Sequence, residues 1–251
     1  MALFNSKDES FVRLRHHHLE TFRRSPAEFY NRFVVGGGAE DEEENQAMKL
    51  GSALDQCLLS RNDQFVLIPD ELNKRRSKEA VAEKAKLKQE AKDKGVIWLS
   101  PAEFDRVNGM YASASKLDEF KTDFRSQIRL EWDCPQTGWP KRGSVDYLAL
   151  SGSLFADLKT TTCRNIHPDL LLPMARERGY VRQLQLYAEG FECMGRNLPG
   201  RIAIIFVGSD KPHTTFVLEI DNDELWQAAA ENRETIDRLD ECWAYNSWPD
   251  A

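Results

Sequence analysis

Two adjacent strand-like segments carry three ionisable side chains, and this pair constrains the fold more than any other feature. Asp146 lies on the first segment, and Asp157-Leu158-Lys159 lies on the second, after a turn at residues 151–152. Because side chains alternate faces along a strand, Asp157 and Lys159 should point to one side of the sheet and Leu158 to the other. The short turn predicts a hairpin that brings Asp146 alongside them.

The convergence of two carboxylates and an amine predicts a particular chemistry. Such a group at the end of a strand pair can hold a hard divalent cation and an activated water. Asp157 also follows the apolar residues 154–156, and an unpaired carboxylate in such surroundings is unfavourable by several kcal/mol. A bound cation removes that penalty. The alternative, from these residues alone, is a surface hairpin whose charged residues have no common role.

The spacing of these residues resembles that of the PD-(D/E)xK nuclease superfamily. The chain resembles one branch of it, the nuclease domain of exonuclease VIII (RecE) and its phage and bacterial relatives. Four motifs carry the resemblance in the family's order: an early helix, the turn before the first catalytic strand, the catalytic strand and the helix that follows. They are residues 51–59, residues 135–138, residues 157–161 and the pattern Tyr180-x-x-Gln183-x-x-x-Tyr187.

The resemblance implies which residues bind metal and which act on the substrate. Asp146, Asp157 and the main-chain carbonyl of Leu158 would ligate Mg²⁺, for which Mn²⁺ could substitute, with two ions per site. Lys159 would orient or deprotonate the attacking water and help to neutralise the charge on the phosphorane. Gln183 would lie beside the site and position Lys159 or a phosphate.

Asp55 is the main departure from the family pattern. At the matching position the exonuclease VIII group carries a histidine, and this chain carries an aspartate. Other members of the superfamily place a carboxylate at the comparable site, and an oxygen ligand suits Mg²⁺ or Mn²⁺ at least as well as an imidazole. We therefore expect Asp55 to be a metal ligand. The alternative is a solvent-facing helix residue in a site that has lost one ligand.

The helix after the catalytic strand presents polar and aromatic side chains on one face. Tyr180, Gln183 and Tyr187 follow the spacing i, i+3 and i+7, which places them together on a helix. Beside the resemblance, an ordinary amphipathic stripe that packs with Leu184 and Leu186 would produce the same pattern.

The residues that would contact DNA are less specific. Arg23 and Arg24 precede a helix start at Ser25-Pro26, where a 5′ phosphate could meet the helix N-terminus. Taken alone, the formal net charge of −7 argues against DNA binding. Basic residues are nevertheless clustered locally, and clusters of this kind are also common on ordinary solvated surfaces. The further candidates for DNA contact are Lys74, Arg75, Arg76, Lys78 and Tyr187.

The order of elements predicts an α+β fold of the restriction-endonuclease type, with a central mixed β-sheet flanked by helices. We expect a single domain over residues 1–251, with a helical N-terminal part in the first 120 residues and the catalytic core in 121–251. The expected core elements are strands near 125–133, 141–149 and 153–160, one helix over 174–194, strands over 201–207 and 214–220, and a helix over 223–245.

Composition sets the broad class. No apolar run is long enough to span a bilayer and residues 1–15 lack a signal core, so we expect a cytoplasmic protein without a membrane partner. The five cysteines are scattered, with no CxxC pair, which argues against disulfides, a zinc site and the iron–sulfur cluster of several RecB-like relatives.

The resemblance implies a 5′→3′ exonuclease that acts on the ends of linear double-stranded DNA. It would leave 3′ single-stranded overhangs for a single-strand annealing protein, and it would assemble as a homo-oligomeric ring. One alternative is an endonuclease or RecB-like repair nuclease with the same catalytic core. A second is a catalytically inactive DNA-binding relative, for which Asp55 is the sole support in the sequence.

Overall fold

The first half of the chain is mainly helical, as its sequence indicates. The computed structural model describes residues 13–35, 46–61, 64–75, 77–163 and 166–250. Its early elements are α1 (His16–Arg24), α2 (Pro26–Phe29) with a π-helical extension (Tyr30–Val35), α3 (Gln46–Leu58), β1 (Phe65–Leu67), α4 (Asp70–Lys74), α5 (Lys78–Asp93), β2 (Ile97–Leu99) and α6 (Pro101–Ala114).

Serine caps begin several of these helices. The side chains of Ser25, Ser77 and Ser100 each accept a hydrogen bond from the backbone N–H three residues further on. Pro26 and Pro101 occupy the first helical turn, where a missing N–H does no harm. The helix start at Ser25 therefore lies where the sequence predicts it, and Ser100-Pro101 begins α6 with the same pair of residues.

One strand of this half was not predicted. β2 pairs in parallel with β1, from Phe65–Ile97 to Leu67–Leu99, and α4 and α5 make the crossover between them. The stretch 97–99 is too short to show a strand period, so only its partner strand identifies it. The ring of Trp98 on β2 lies close to two ammonium groups, with Lys49 Nζ 3.6 Å and Lys88 Nζ 4.1 Å from its centroid.

The second half is built on a mixed sheet. Its elements are β3 (Phe124–Asp133), β4 (Pro140–Ala149), β5 (Leu154–Thr161), α7 (Pro168–Glu177), α8 (Tyr180–Cys193), β6 (Arg201–Gly208), β7 (Thr215–Glu219) and α9 (Asn222–Tyr245). The five strands lie in the order β3-β4-β5-β6-β7 within the described residues. All neighbours are antiparallel except β5 and β6, which run parallel. The predicted α+β class with a mixed central sheet is confirmed.

Hydrophobic cores cover both faces of this sheet. On one face, Phe155, Ile204 and Phe206 pack with buried residues of α1, α7, α8 and α9. On the other face, Leu158 and Ile205 pack with residues of α3 and α6. β5 is therefore the middle strand of a helix–sheet–helix sandwich, and its ends are the places where polar side chains can reach solvent.

The helix expected over 174–194 is wrong as a single element. The chain instead forms α7 and α8, with a break at Gly179, whose φ of +74° lies in the left-handed region. A side chain there would also crowd the carboxylate of Glu20, because a Cβ would lie 2.8 Å from its Cδ. The sequence does carry a signal for this break, because residues 176–178 are charged and Gly179 follows them, and glycine is the residue favoured just beyond a helix C-terminus. Among the described residues, no helix is both long and apolar enough to cross a bilayer.

Candidate active site

β5 presents its polar residues on the face that α8 covers. Asp157 and Lys159 point to this side, together with Phe155, while Leu158 packs in the opposite core. Asp157 is only 2% exposed. The carboxylate is therefore held in an apolar interior where its oxygens need partners.

The two oxygens of Asp157 have different partners. Gln183 Nε2, on α8, donates to Asp157 Oδ1 at 3.1 Å. Lys159 Nζ lies 2.6 Å from Asp157 Oδ2 and forms an ion pair with it. Asp157 Oδ2 has no further hydrogen-bond partner among the described residues. A cation at this oxygen would therefore share it with the lysine.

Asp146 lies beside the β4–β5 ladder. The paired residues of the two strands include Tyr147–Ala156 and Leu148–Phe155, and next to them Asp146 Oδ2 accepts the backbone N–H of Leu158 at 2.9 Å. The carboxylate is thereby tied to β5 at the residue between Asp157 and Lys159. Burial, followed by the charges of Asp157 and Asp55, raises the pKa of Asp146 well above its ordinary value.

Asp55 approaches Asp146, Asp157 and Lys159 from the other side of the sheet. It lies on α3, which packs across β5, with Gly51 next to Thr160. Burial and then the charge of Asp157 raise the pKa of Asp55 to about 7, while Lys159 acts in the opposite direction. The structure therefore brings Asp55, Asp146 and Asp157 close enough for their charges to interact.

Lys159 is held among these acids. Burial lowers the pKa of its ammonium, but the charges of Asp157 and Asp146 outweigh burial, and the net pKa is raised. The ammonium also lies 5.0 Å from the ring centroid of Tyr180, which is a cation–π distance. As long as its neighbours are ionised, Lys159 is a firmly protonated cation.

Tyr187 completes the wall of the site on α8. Its hydroxyl accepts a hydrogen bond from Gln183 Nε2 at 2.7 Å, and the residue is 7% exposed. Burial and then the charge of Asp157 raise the pKa of this phenol. Its ring lies directly against Gly143 of β4, where any Cβ would overlap the ring carbons. Tyr180, Gln183 and Tyr187 thus lie on the face of α8 that is directed toward β5.

The donor set has the chemistry that a hard divalent cation requires. It offers oxygen ligands in Asp55, Asp146 and Asp157, and burial together with mutual repulsion raises the pKa values of two of the three carboxyl groups, Asp55 and Asp146. In the described part of the chain, no three acid, histidine or cysteine side chains form a preformed metal cage. The residues fit a cation by chemistry, and the Lys159–Asp157 contact must loosen for Asp157 Oδ2 to ligate it.

Those residues predicted to contact DNA that the structure describes have different surroundings. Arg23 is half-buried and joins α1 to α9, with Nη2 2.7 Å from Thr235 Oγ1 and a salt bridge to Glu20. Arg24 is exposed and pairs with Glu28 at 2.8 Å. Arg75 and Lys78 are exposed at the end of α4 and the start of α5. Arg76 and the side chain of Lys74 lie outside the described residues, and Tyr187 lies inside the site.

One residue at the site was missed from the sequence. Gln127 of β3 donates from Nε2 to Asp146 Oδ1 at 3.1 Å. It belongs to none of the four motifs, and a glutamine in a strand carries no signal of its own. Nothing in the local pattern indicates that β3 would place this amide against Asp146.

Comparison with known proteins gives one family match. A family described as "PDDEXK-like domain of unknown function (DUF3799)" matches residues 16–251. No curated protein matches this sequence.

Solved structures give the fold. A candidate exonuclease from Eubacterium rectale matches with a TM-score of 0.64 and 16% identity, over 100% of this chain and 90% of that chain. A phage-related exonuclease from Haemophilus somnus 129PT matches over 97% of this chain and 100% of its own, at 14% identity and a TM-score of 0.40. An alkaline exonuclease from Laribacter hongkongensis covers 78% of this chain and 94% of its own, at 14% identity and a TM-score of 0.32.

Proposed function

The chain belongs to the PDDEXK-like family DUF3799, and on that premise we propose that it is a metal-dependent deoxyribonuclease. Membership in a PDDEXK-like family confirms the superfamily that the spacing of Asp146, Asp157 and Lys159 predicts. One group of side chains carries the proposal. It consists of Asp157 and Lys159 on β5, Asp146 on β4 and Asp55 on α3, and the charges within it shift the pKa values of Asp55, Asp146 and Lys159.

The metal ligands that we propose are Asp55, Asp146, Asp157 and the main-chain carbonyl of Leu158. The ion is Mg²⁺, with Mn²⁺ as a substitute and two ions per site. A divalent cation supplies charge that polarises a phosphate and lowers the pKa of a bound water. Three carboxylates that repel one another in the metal-free protein are stabilised by such a charge, because each of them is attracted to the cation.

Lys159 has an electrostatic role in this proposal. Burial lowers the pKa of Lys159, but the charges of Asp157 and Asp146 outweigh burial, so the lysine keeps its proton in the metal-free protein while those acids are ionised. An ammonium at this place can orient a water by donating a hydrogen bond to the water oxygen, and it can stabilise the negative charge that develops on a phosphorane. We therefore assign orientation and charge stabilisation to Lys159.

Gln183 positions Asp157. Its single amide nitrogen donates both to Asp157 Oδ1 and to Tyr187 Oη, which leaves Oδ2 as the oxygen that can reach a ligand. A neutral donor orients the carboxylate without adding a positive charge that would compete with a cation. Gln183 thus prepares Asp157 without taking part in proton transfer.

The substrate that we propose is the end of linear double-stranded DNA. The enzyme would degrade one strand in the 5′→3′ direction and leave a 3′ overhang for a single-strand annealing protein. It would work as a homo-oligomeric ring in the cytoplasm. These points are supported by the four ordered motifs of the sequence, and the exposed cations Arg24, Arg75 and Lys78 are candidates for phosphate contact.

Digestion of duplex DNA with Mg²⁺ tests the proposal. Linear duplexes with 5′-phosphate or 5′-hydroxyl ends are compared with covalently closed circles, and each strand carries its own end label. Loss of linear DNA with intact circles and a surviving 3′-ended strand is the expected result. Nicked circles would replace the exonuclease by an endonuclease, and absence of cleavage with both Mg²⁺ and Mn²⁺ would overturn the nuclease proposal.

A further inference from the structure

Gln127 has a backbone conformation that is unusual for a residue in the middle of a strand. Its φ is +50°, in the left-handed region that glutamine rarely adopts, at a cost on the order of 1–2 kcal/mol. The flanking residues are paired across the ladder, Ser126 with Tyr147 and Ile128 with Val145. Gln127 therefore stands opposite Asp146. Such strain persists only where the surroundings impose it, and it is concentrated at functional sites.

Both strands change faces at this point. Val145 packs in the core beneath α8, whereas Tyr147, two residues further on, packs in the core beneath α3 and α6. On β3, Ile128 packs against the first core and Phe124 against the second, although an even spacing would keep them on one side. Since residues two apart normally share a face, β3 and β4 both turn over at the pair formed by Gln127 and Asp146.

The side chain of Gln127 connects this turnover to the site. Its Nε2 donates to Asp146 Oδ1 at 3.1 Å, and its Oε1 accepts from Ser144 Oγ at 3.1 Å. The other oxygen of Asp146 accepts the N–H of Leu158 at 2.9 Å. Each oxygen of Asp146 thus has one donor, and together the two donors fix the rotation of the carboxylate.

We propose that Gln127 is a positioning residue that holds the Asp146 carboxylate in the orientation for cation binding. This inference rests on the proposed function of the same site. The amide orients the carboxylate while leaving its full negative charge, which a lysine or arginine in its place would neutralise. The backbone at Gln127 is strained, and its amide lies within hydrogen-bond distance of the opposed Asp146.

Replacing Gln127 by glycine separates the effect of the side-chain amide from the effect of the backbone conformation. Gln127→Gly relieves the left-handed φ while it removes the side chain, so a purely structural role predicts a protein of equal or higher stability and normal activity. Our proposal predicts a melting temperature within a few degrees of the wild type together with weaker metal binding. Changes to groups that orient metal ligands typically reduce metal affinity or activity by about 10–100-fold.

The experiment measures Mn²⁺ affinity by calorimetry on the complete chain without DNA, and then kcat and KM on linear duplex DNA. For Gln127→Gly we expect the Kd for Mn²⁺ to rise at least about tenfold and kcat to fall by a similar factor, with KM for DNA nearly unchanged. Arg129→Ala, on the same open face of β3 and paired with Glu131, is the control and should keep the Kd of the wild type.

Gln127→Asn is the second variant, because asparagine tolerates the left-handed region but its amide is one methylene short of Asp146. It should fold and behave as Gln127→Gly does. A normal Kd and kcat in both variants would overturn the positioning role, and so would a loss confined to KM, which would make Gln127 a DNA contact. Absence of Mn²⁺ binding by the wild type would instead defeat the proposed function itself.

Discussion

Lys159 Nζ lies 2.6 Å from Asp157 Oδ2, and the two side chains form an ion pair. Under the proposed function, a cation that binds Asp157 would meet an ammonium already in place at the same oxygen. The affinity for the cation and the charge of Lys159 would then be coupled through that oxygen.

Replacement of Lys159 by methionine should separate the two effects. Lys159→Met keeps the length of the side chain and removes its charge, so we expect cleavage to fall by at least about 100-fold, as when a charge-stabilising donor is lost. Binding of Mn²⁺ in calorimetry should become tighter, because the competing ammonium is gone. Duplex binding, measured by fluorescence anisotropy, should persist. Cleavage at the rate of the wild type would disprove the role of Lys159.

Asp55→Asn should change how the stability of the metal-free protein depends on pH. Folding raises the pKa of Asp55 to about 7, so its contribution to stability is complete below the ordinary value of about 4 and is lost as the pH rises to about 7. The asparagine variant should therefore be more stable than the wild type at pH 8 without metal.

The same variant should gain less from metal than the wild type. Thermal unfolding at pH 5 and pH 8, with and without Mn²⁺, measures both effects, and each kcal/mol shifts the melting temperature by about 2–4 °C in a chain of this size. Equal melting temperatures at pH 8, together with an equal response to Mn²⁺, would show that Asp55 is solvated and is not a ligand.

Loss of the Gln183 amide should impair catalysis more than loss of the Tyr187 hydroxyl. Gln183→Leu removes the donor of Asp157 Oδ1 and should lower kcat by about 10–100-fold with little change in KM for DNA. Tyr187→Phe removes only the second acceptor of the same amide and should keep activity within a few-fold. The reverse order of the two effects in single-turnover cleavage would place the chemistry on Tyr187.

Gly143→Ala should disturb the site through packing alone. A methyl group at Gly143 would overlap the ring of Tyr187, and this overpacking typically costs about 1–3 kcal/mol. We expect a lower melting temperature and slower cleavage. Gly51→Ala is the matched control, since its Cβ would lie 3.6 Å from Thr160 Oγ1, an ordinary contact, and alanine favours the helix. Equal effects of both changes would contradict the packing of Tyr187 on β4.

Local sequence patterns were sufficient for much of the fold and of the site. The alternation of side chains along a strand places Asp157 and Lys159 on one side and Leu158 on the other, and the helical period places Gln183 and Tyr187 on one face. Serine and proline at Ser25 and Ser100 mark helix starts because capping is a contact between residues three apart. Each of these features depends on residues close together in the chain.

The tertiary structure alone decided how these pieces meet. The charge coupling of Asp55 to Asp157 depends on the packing of α3 across β5, and the contact of Gln127 with Asp146 depends on the pairing of β3 with β4. The close approach of Glu20 to Gly179 also joins residues far apart in the chain. These features arise from contacts between residues far apart in sequence, and no local period or propensity encodes such contacts. The sequence by itself determined which groups are available for catalysis, and long-range packing determined their orientation and their charge environment.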